Sequence, residues 1–228
     1  MRLRYHSLLS CFIFFALIAT GGISHAANIL NITGPSPFGF QNQTVLVEGW
    51  SQSGTYSNVS ITMPLRDEST GSPIAGVEGT VYLMNQIGPG TTSAHEVAPP
   101  VSISGLTDTF VPYTLFSGLT LPPGNYYIVL SSTNTDPLSM SAEGTGNSTV
   151  TTGIGVNALG SEAPETPDAY PPASSLTLSQ PGNLFITVTG DLVSTAAVSV
   201  PALDIAGLAM LMLCLAGAAI FTLHRRRT

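Results

Sequence analysis

Between Ala27 and Val200 no stretch sustains a helical apolar period for three turns. What recurs instead is a period of two. In Tyr56-Ser-Asn-Val-Ser-Ile-Thr-Met63, Val59, Ile61 and Met63 point one way while Ser60 and Thr62 point the other. That is the signature of a half-buried strand. Asn183 to Thr189 repeats it with Leu184, Ile186 and Val188. Thr44 to Trp50, Gly79 to Met84, Thr109 to Leu121 (with a break expected at Pro112), Asn125 to Ser131 and the weaker Ser148 to Thr152 complete the expected strands.

Gly and Pro punctuate these runs at Gly71, Pro73, Gly88-Pro89-Gly90, Pro99-Pro100, Pro122-Pro123-Gly124 and Pro181-Gly182. Short strands separated by turn signals predict an all-β fold, a single β-sandwich of jelly-roll or Ig-like type over 27–190. Leu119 to Leu130 is the clearest unit: one strand end, a Pro-Pro-Gly turn, then a run apolar on both faces that belongs inside a sheet. It is similar to the Leu-x-x-Gly-x-Tyr-Tyr hairpins of secreted bacterial sandwiches. From Asn134 to Ser175, Gly144, Gly146, Gly153, Gly155 and Gly160 predict a mobile or tightly turning connection. Within it, 161–174 carries three carboxylates and several prolines and is expected as an exposed loop.

The charges are distributed unevenly. The chain has 228 residues, a net charge of -7 and no lysine. Five of its six arginines lie at the two ends, leaving Arg66 alone in the middle. From Ala27 to Leu203, twelve carboxylates face that one arginine, a balance of -11. Nucleic acid is excluded as a partner, since phosphate neutralisation needs clustered Lys and Arg. Cys11 and Cys214 lie in the apolar ends, and His95 is the only histidine in the middle. No disulfide, thiolate site or His-based zinc cluster can be built there, and no cofactor is expected.

Both ends read as membrane addresses. Arg2 and Arg4 precede an almost wholly apolar run from Ser7 to Thr20, and Ser24-His25-Ala26 supplies small residues at -3 and -1. This predicts a secretory signal over 1–26, cleaved between Ala26 and Ala27. Ile205 to Leu223 is apolar except for Thr222, and its nineteen residues match the hydrocarbon thickness as a helix. His224 to Thr228 forms a basic end in which Arg225, Arg226 and Arg227 stay cytoplasmic. The middle is thereby expected outside the cytoplasm, joined to the span by a stalk at 191–199.

The run Val200-Pro201-Ala202-Leu203, then the apolar helix, then the terminal arginines, resembles the tripartite sorting tails of bacterial exported proteins, the PEP-CTERM tails and their IPTL-CTERM variant. Val200 and Pro201 fit both patterns, and Leu203 matches the fourth position of the IPTL form. Ala202 departs from both. The resemblance covers only about the last thirty residues, 200–228. It implies an exosortase-type membrane transpeptidase as processing partner, and transfer to the cell surface or extracellular matrix. No Leu-Pro-x-Thr-Gly sortase motif occurs, and a GPI tail would end apolar.

Sites within the middle are sparse. Trp50 and Tyr56, beside Gln52, could stack on a sugar and bond its hydroxyls, although a lone Trp after Val45-Leu46-Val47 is more often core. His95-Glu96 could form an acid–base pair but sits in a Thr-Thr-Ser-Ala loop. No Gly-x-Ser-x-Gly elbow is present, and nothing marks a paired-carboxylate glycosidase site. Asp67-Glu68 and Asn134 with Asp136 could offer oxygens to calcium, yet no calcium-loop motif exists. Asn31, Asn42, Asn58 and Asn147 are Asn-x-Ser/Thr sites of the kind that arise by chance in such a chain. The chain thus reads as a non-enzymatic, membrane-tethered envelope or matrix protein of structural or adhesive role. A polysaccharide-binding surface module is the alternative, and a carboxylate-based glycosidase comes third.

Overall fold

Alternation at Val59, Ile61, Met63 and Leu65 buries one face of an eleven-residue strand, and in the computed structural model that strand organises a whole sheet. The structure describes residues 26–35, 38–40, 45–67, 77–132, 140–162, 168–175, 178, 184–193 and 213. The chain divides into two units, Met1–Val193 and Ser194–Thr228. The predicted signal up to residue 25, the Val200–Leu203 motif and the arginine end lie outside the described residues, as does the predicted span apart from Leu213. Among the described residues no helix is long and apolar enough to cross a membrane.

The first unit is all-β. Its strands are β1 (Ala27–Thr33), β2 (Phe38–Phe40), β3 (Val45–Gln52), β4 (Tyr56–Arg66), β5 (Gly79–Met84), β6 (Glu96–Ile103), β7 (Val111–Leu121), β8 (Gly124–Ser132), β9 (Ser141–Gly144), β10 (Thr149–Thr152), β11 (Val156–Glu162) and β12 (Ile186–Leu192). Two short 3₁₀ turns, Ser93–His95 and Pro171–Ala173, lie between them. One sheet runs β10-β1-β12-β4-β9-β2, with β7 along the other side of β4. The second runs β11-β3-β8-β5-β6. Every pairing is antiparallel.

The sheets share one core. Leu30, Ile32, Ile61, Met63, Ile186 and Val188 from the first meet Leu46, Trp50, Val81, Leu83, Ile128 and Leu130 from the second in one cluster. The second sheet is also covered on its outer face. There Val45, Val47, Met84 and Val129 are buried beneath Ile87, Tyr127, Tyr170 and Leu178. This is why β3 and β8 read as nearly continuous apolar runs.

Several strands were not legible as such. β6 contains Pro99-Pro100, expected as a turn signal. It pairs only with β5, so it is an edge strand, where a missing N–H costs no ladder bond. The ladder also shifts register between Val81–Val101 and Leu83–Ala98, which leaves room for the prolines. The expected break at Pro112 falls one residue inside β7, which is likewise an edge. The Gly-rich connection from Asn134 to Ser175 is corrected: besides β10, which the weak run Ser148 to Thr152 indicates, it contains β9 and β11. Its glycines serve a bulge, where Gly160 has φ +106° opposite Gly49, and a turn, where Gly155 has φ +70°. The 161–174 segment is not uniformly an exposed loop either. Ser161 and Glu162 close β11, while Pro172 and Ser174 are buried.

The first described strand starts, and the last one ends, at the same end of the sheets. Ala27 is the register partner of Gly190, and Leu192 that of Tyr56. The turns at 53–55 and 153–155 meet them there through Val193 N–H to the Thr55 carbonyl (2.8 Å), Ser53 N–H to the Gly155 carbonyl (2.9 Å) and Gly153 N–H to the Ile29 carbonyl (2.9 Å).

Leu83 is fully enclosed, so Leu83→Ala removes packed methyls and leaves a cavity. We expect a loss of about 2–5 kcal/mol in urea unfolding. Thr151→Ala on an exposed strand position should stay within about 0.5 kcal/mol of the parent; equal losses for the two would contradict the core assignment.

Candidate functional site

Trp50 lies at the inward face of β3, fully buried, with Tyr126 opposite it in register on β8. Their rings stack at 5.5 Å between centroids and 30° between planes. The indole N–H donates to the Gln52 Oε1 at 3.2 Å. Tyr56 is also core, and its hydroxyl donates to the Ile154 carbonyl at 3.2 Å. Neither ring presents a face to solvent. The expected glycan contact at Trp50 and Tyr56 is therefore corrected: the apolar run before Trp50 carries it into the interior, as lone tryptophans usually go. Tyr126 is buried too, and burial pushes its hydroxyl above the usual phenol range.

His95 and Glu96 are each engaged with another partner. His95 Nδ1 accepts from the Thr92 N–H at 3.2 Å, closing its own turn. The Glu96 carboxylate accepts from the Tyr170 hydroxyl at 2.7 Å. Tyr170 in turn meets Tyr82 edge-on at 5.7 Å. Burial, then the bonded Glu96 and its charge, then Tyr82, push the Tyr170 hydroxyl far above the ordinary phenol range. Tyr82 is raised by burial and by Glu96, and Tyr127 by burial against the opposing bond to Asn125. These three half-buried tyrosines straddle the outer face of the second sheet. The strap at 168–174 is fastened over it by Gly88 N–H to the Pro172 carbonyl (2.9 Å) and by the Tyr170 bond to Glu96, and it is closed on itself by Asp168 N–H to Ser174 Oγ (3.0 Å) and Ser174 Oγ to the Pro171 carbonyl (2.7 Å).

The acidic inventory is mostly structural. Glu48 is fully buried on the inward face of β3, where its Oε2 accepts from the Leu184 N–H at 3.4 Å. Glu78 is fully buried and accepts from the Leu106 N–H at 2.9 Å. Both were missed in sequence, because each stands beside strand residues without any partner signal nearby. Arg66 lies 4.3 Å over the Phe110 ring and is felt electrostatically by Glu143, whose carboxyl is nonetheless raised, burial outweighing the cation. Asp67 is buried and its N–H reaches the Thr107 carbonyl at 2.8 Å. The calcium candidates Glu68, Asn134 and Asp136 lie outside the described residues. Among the described residues no three His, Cys, Asp or Glu side chains gather as a metal would need.

One surface was not anticipated. Across the outer face of the first sheet, Thr151, Asn31, Thr187, Thr62 and Thr114 are successive register partners on β10, β1, β12, β4 and β7. Thr187 Oγ1 donates to Asn31 Oδ1 at 2.9 Å, and the Thr62 and Thr114 hydroxyls lie 3.4 Å apart. The row is uncharged and solvent-facing. Its residues were visible as the polar half of the alternation, but their alignment across five strands depends on register, which local sequence does not give.

Comparison with known proteins adds no relative: no family model, curated protein or solved structure matches the chain.

The enclosure of Trp50 gives a direct optical expectation. Its emission should be blue-shifted and resistant to acrylamide, and should not respond to added glycans. Ready quenching would show the ring to be exposed and would return it to the surface.

Proposed function

We propose that the chain is an exported, membrane-tethered protein whose two-sheet domain acts as a structural or adhesive part of a bacterial envelope or matrix. The carrying observation is the coincidence of boundaries. The first strand begins at Ala27, the residue after the expected signal cleavage, and the last described strand ends at Leu192. Removal of 1–26 would leave every described strand whole. Val200, Pro201, Ala202 and Leu203 follow within a few residues, in the position of a sorting motif. Arg225, Arg226 and Arg227 would hold the tail's end in the cytoplasm. An exosortase-type enzyme would be the processing partner.

The architecture suits a passive role. Eight of the eleven connections between described strands pass from one sheet to the other, as from β3 to β4, β4 to β5, β6 to β7 and β7 to β8. This supports a sandwich of Greek-key type, and leaves jelly-roll and Ig-like wiring as its finer forms. The buried carboxylates are tied to backbone N–H groups, which favours a structural use over an acid–base one. Intact-mass measurement on surface-extracted protein tests the reading. We expect a mature chain that begins at Ala27 and lacks the segment after roughly Val200. Mature material that still carries Arg225 to Arg227 would overturn the processing.

A second reading, a polysaccharide-binding module, is favoured by the hydroxyl and amide row from Thr151 to Thr114. A flat neutral face suits a flat neutral glycan. Thr187→Lys breaks the row from an exposed position. If the reading holds, full-length protein retained on an insoluble neutral polysaccharide should lose most of that retention in the variant. Equal retention sets it aside.

A further inference from the structure

The turn Gly153-Ile154-Gly155 is built in an unusual way. Both glycines are required by geometry. A Cβ at Gly153 would stand 2.7 Å from the Asn28 carbonyl oxygen, and Gly155 has φ +70° with Ser53 against it. Ile154 between them is required by nothing in the fold. Its carbonyl serves Tyr56, but its side chain is 87% exposed, the most exposed large hydrophobic residue of the first unit among those described. Turn tips ordinarily carry Asn, Asp, Ser or Gly, and a polar residue would satisfy this backbone equally well.

Ile154 is not alone. Leu192 and Val193 are 45% and 43% exposed at the same end. They are linked to Ile154 through common neighbours. Tyr56 is the register partner of Leu192 and the donor to Ile154, and Gly54 stands against Leu192. The segments that meet there, 26–28, 53–55, 121–125, 153–155 and 192–193, contain no charged side chain, in a middle that carries -11; a chain cleaved before Ala27 adds one α-amino group there. The nearest carboxylate, Asp191, is half-buried and accepts from the Asn58 amide at 2.8 Å.

This is the end from which the chain runs to its expected anchor. Only 194–204 separate Val193 from Ile205. Eleven residues reach about 40 Å when fully extended and average about 17–20 Å as a flexible coil. An apolar tip without charged side chains on so short a tether has a lipid surface within constant reach. We propose that the end of the domain carrying Ile154, Leu192 and Val193 seats in the interface of the membrane to which the chain is anchored. Apolar side chains at a tip without charged side chains bind an interface by burial and need no anionic headgroup. The proposal rests on the membrane-tethered reading and concerns the chain while its tail is still attached.

The experiment uses full-length protein in phosphatidylcholine vesicles containing doxyl-labelled lipid. Ile154→Trp places a reporter at the tip, where an exposed turn accepts it. Trp50, buried against Tyr126, gives a constant background. Ser104→Trp, exposed beyond β6 at the opposite end of the sheets, is the control. We expect the protein to float with the vesicles, and the emission added by Ile154→Trp to be largely lost to the quencher while that from Ser104→Trp survives. The quenching should withstand high salt. Flotation with the Ile154→Trp emission unquenched overturns the tip contact and leaves the anchor standing. Failure to float overturns both. Quenching abolished by salt means electrostatic contact and overturns apolar seating. Emission that depends on protein concentration instead of doxyl lipid assigns the tip to a second copy, and likewise overturns the proposal.

Discussion

The Gln52 side chain is the fastening on which one end of the molecule depends. Its Nε2 donates to the Leu121 carbonyl at 2.9 Å, to Gly54 at 3.1 Å and to Pro122 at 3.2 Å, and its Oε1 takes the Trp50 indole proton. Two amide hydrogens shared among three carbonyls satisfy the two turns that carry the chain between sheets, β3 to β4 and β7 to β8. Tyr126 adds a bond from its hydroxyl to the same Pro122 carbonyl at 2.6 Å. The backbone groups of crowded turns must find partners once water is excluded, and an unmet one costs about 1–3 kcal/mol. One glutamine meets several, and it also fixes the ring that fills the space between the sheets.

A second constraint follows from the lack of cations. With Arg66 alone between Ala27 and Leu203, there are too few cations to match every buried carboxylate. Glu48 and Glu78 instead accept from backbone N–H groups of segments far away in sequence, at Leu184 and Leu106. Each such bond ties a loop or strand end to a distant strand. An acidic chain is thereby held together by its own main chain.

Legibility in the sequence followed burial. β4, β5, β8 and β12 were readable because one face is buried and the other is not, or because both are buried and the run is apolar. β1, β9 and β11 were missed for two reasons, a bulge in β1 and β11 and a lack of apolar residues in β9. β1 is interrupted by a bulge at Asn28–Leu30, so its alternation slips. β9 has four small or polar residues, Ser141-Ala-Glu-Gly144, and is made a strand by its neighbours. β11 carries a glycine bulge. Trp50 was legible as core from the three apolar residues before it. The hydroxyl row and the exposed tip were not legible, since each gathers residues from strands and turns far apart in sequence, Asn31 with Thr187 in the row and Ile154 with Leu192 at the tip.

β12 enters these relations from one further direction. It lies between β1 and β4, paired on both sides, and the chain leaves it directly toward the tail. A pull on the tail is applied along the axis of an interior strand. The ladder bonds run across that axis, so the load falls on both ladders together as shear instead of opening them one bond at a time. A strand at the sheet's edge, pulled sideways, would peel. For a domain held by its last strand against flow or a departing neighbour, the position of β12 makes mechanical resistance a property of the topology.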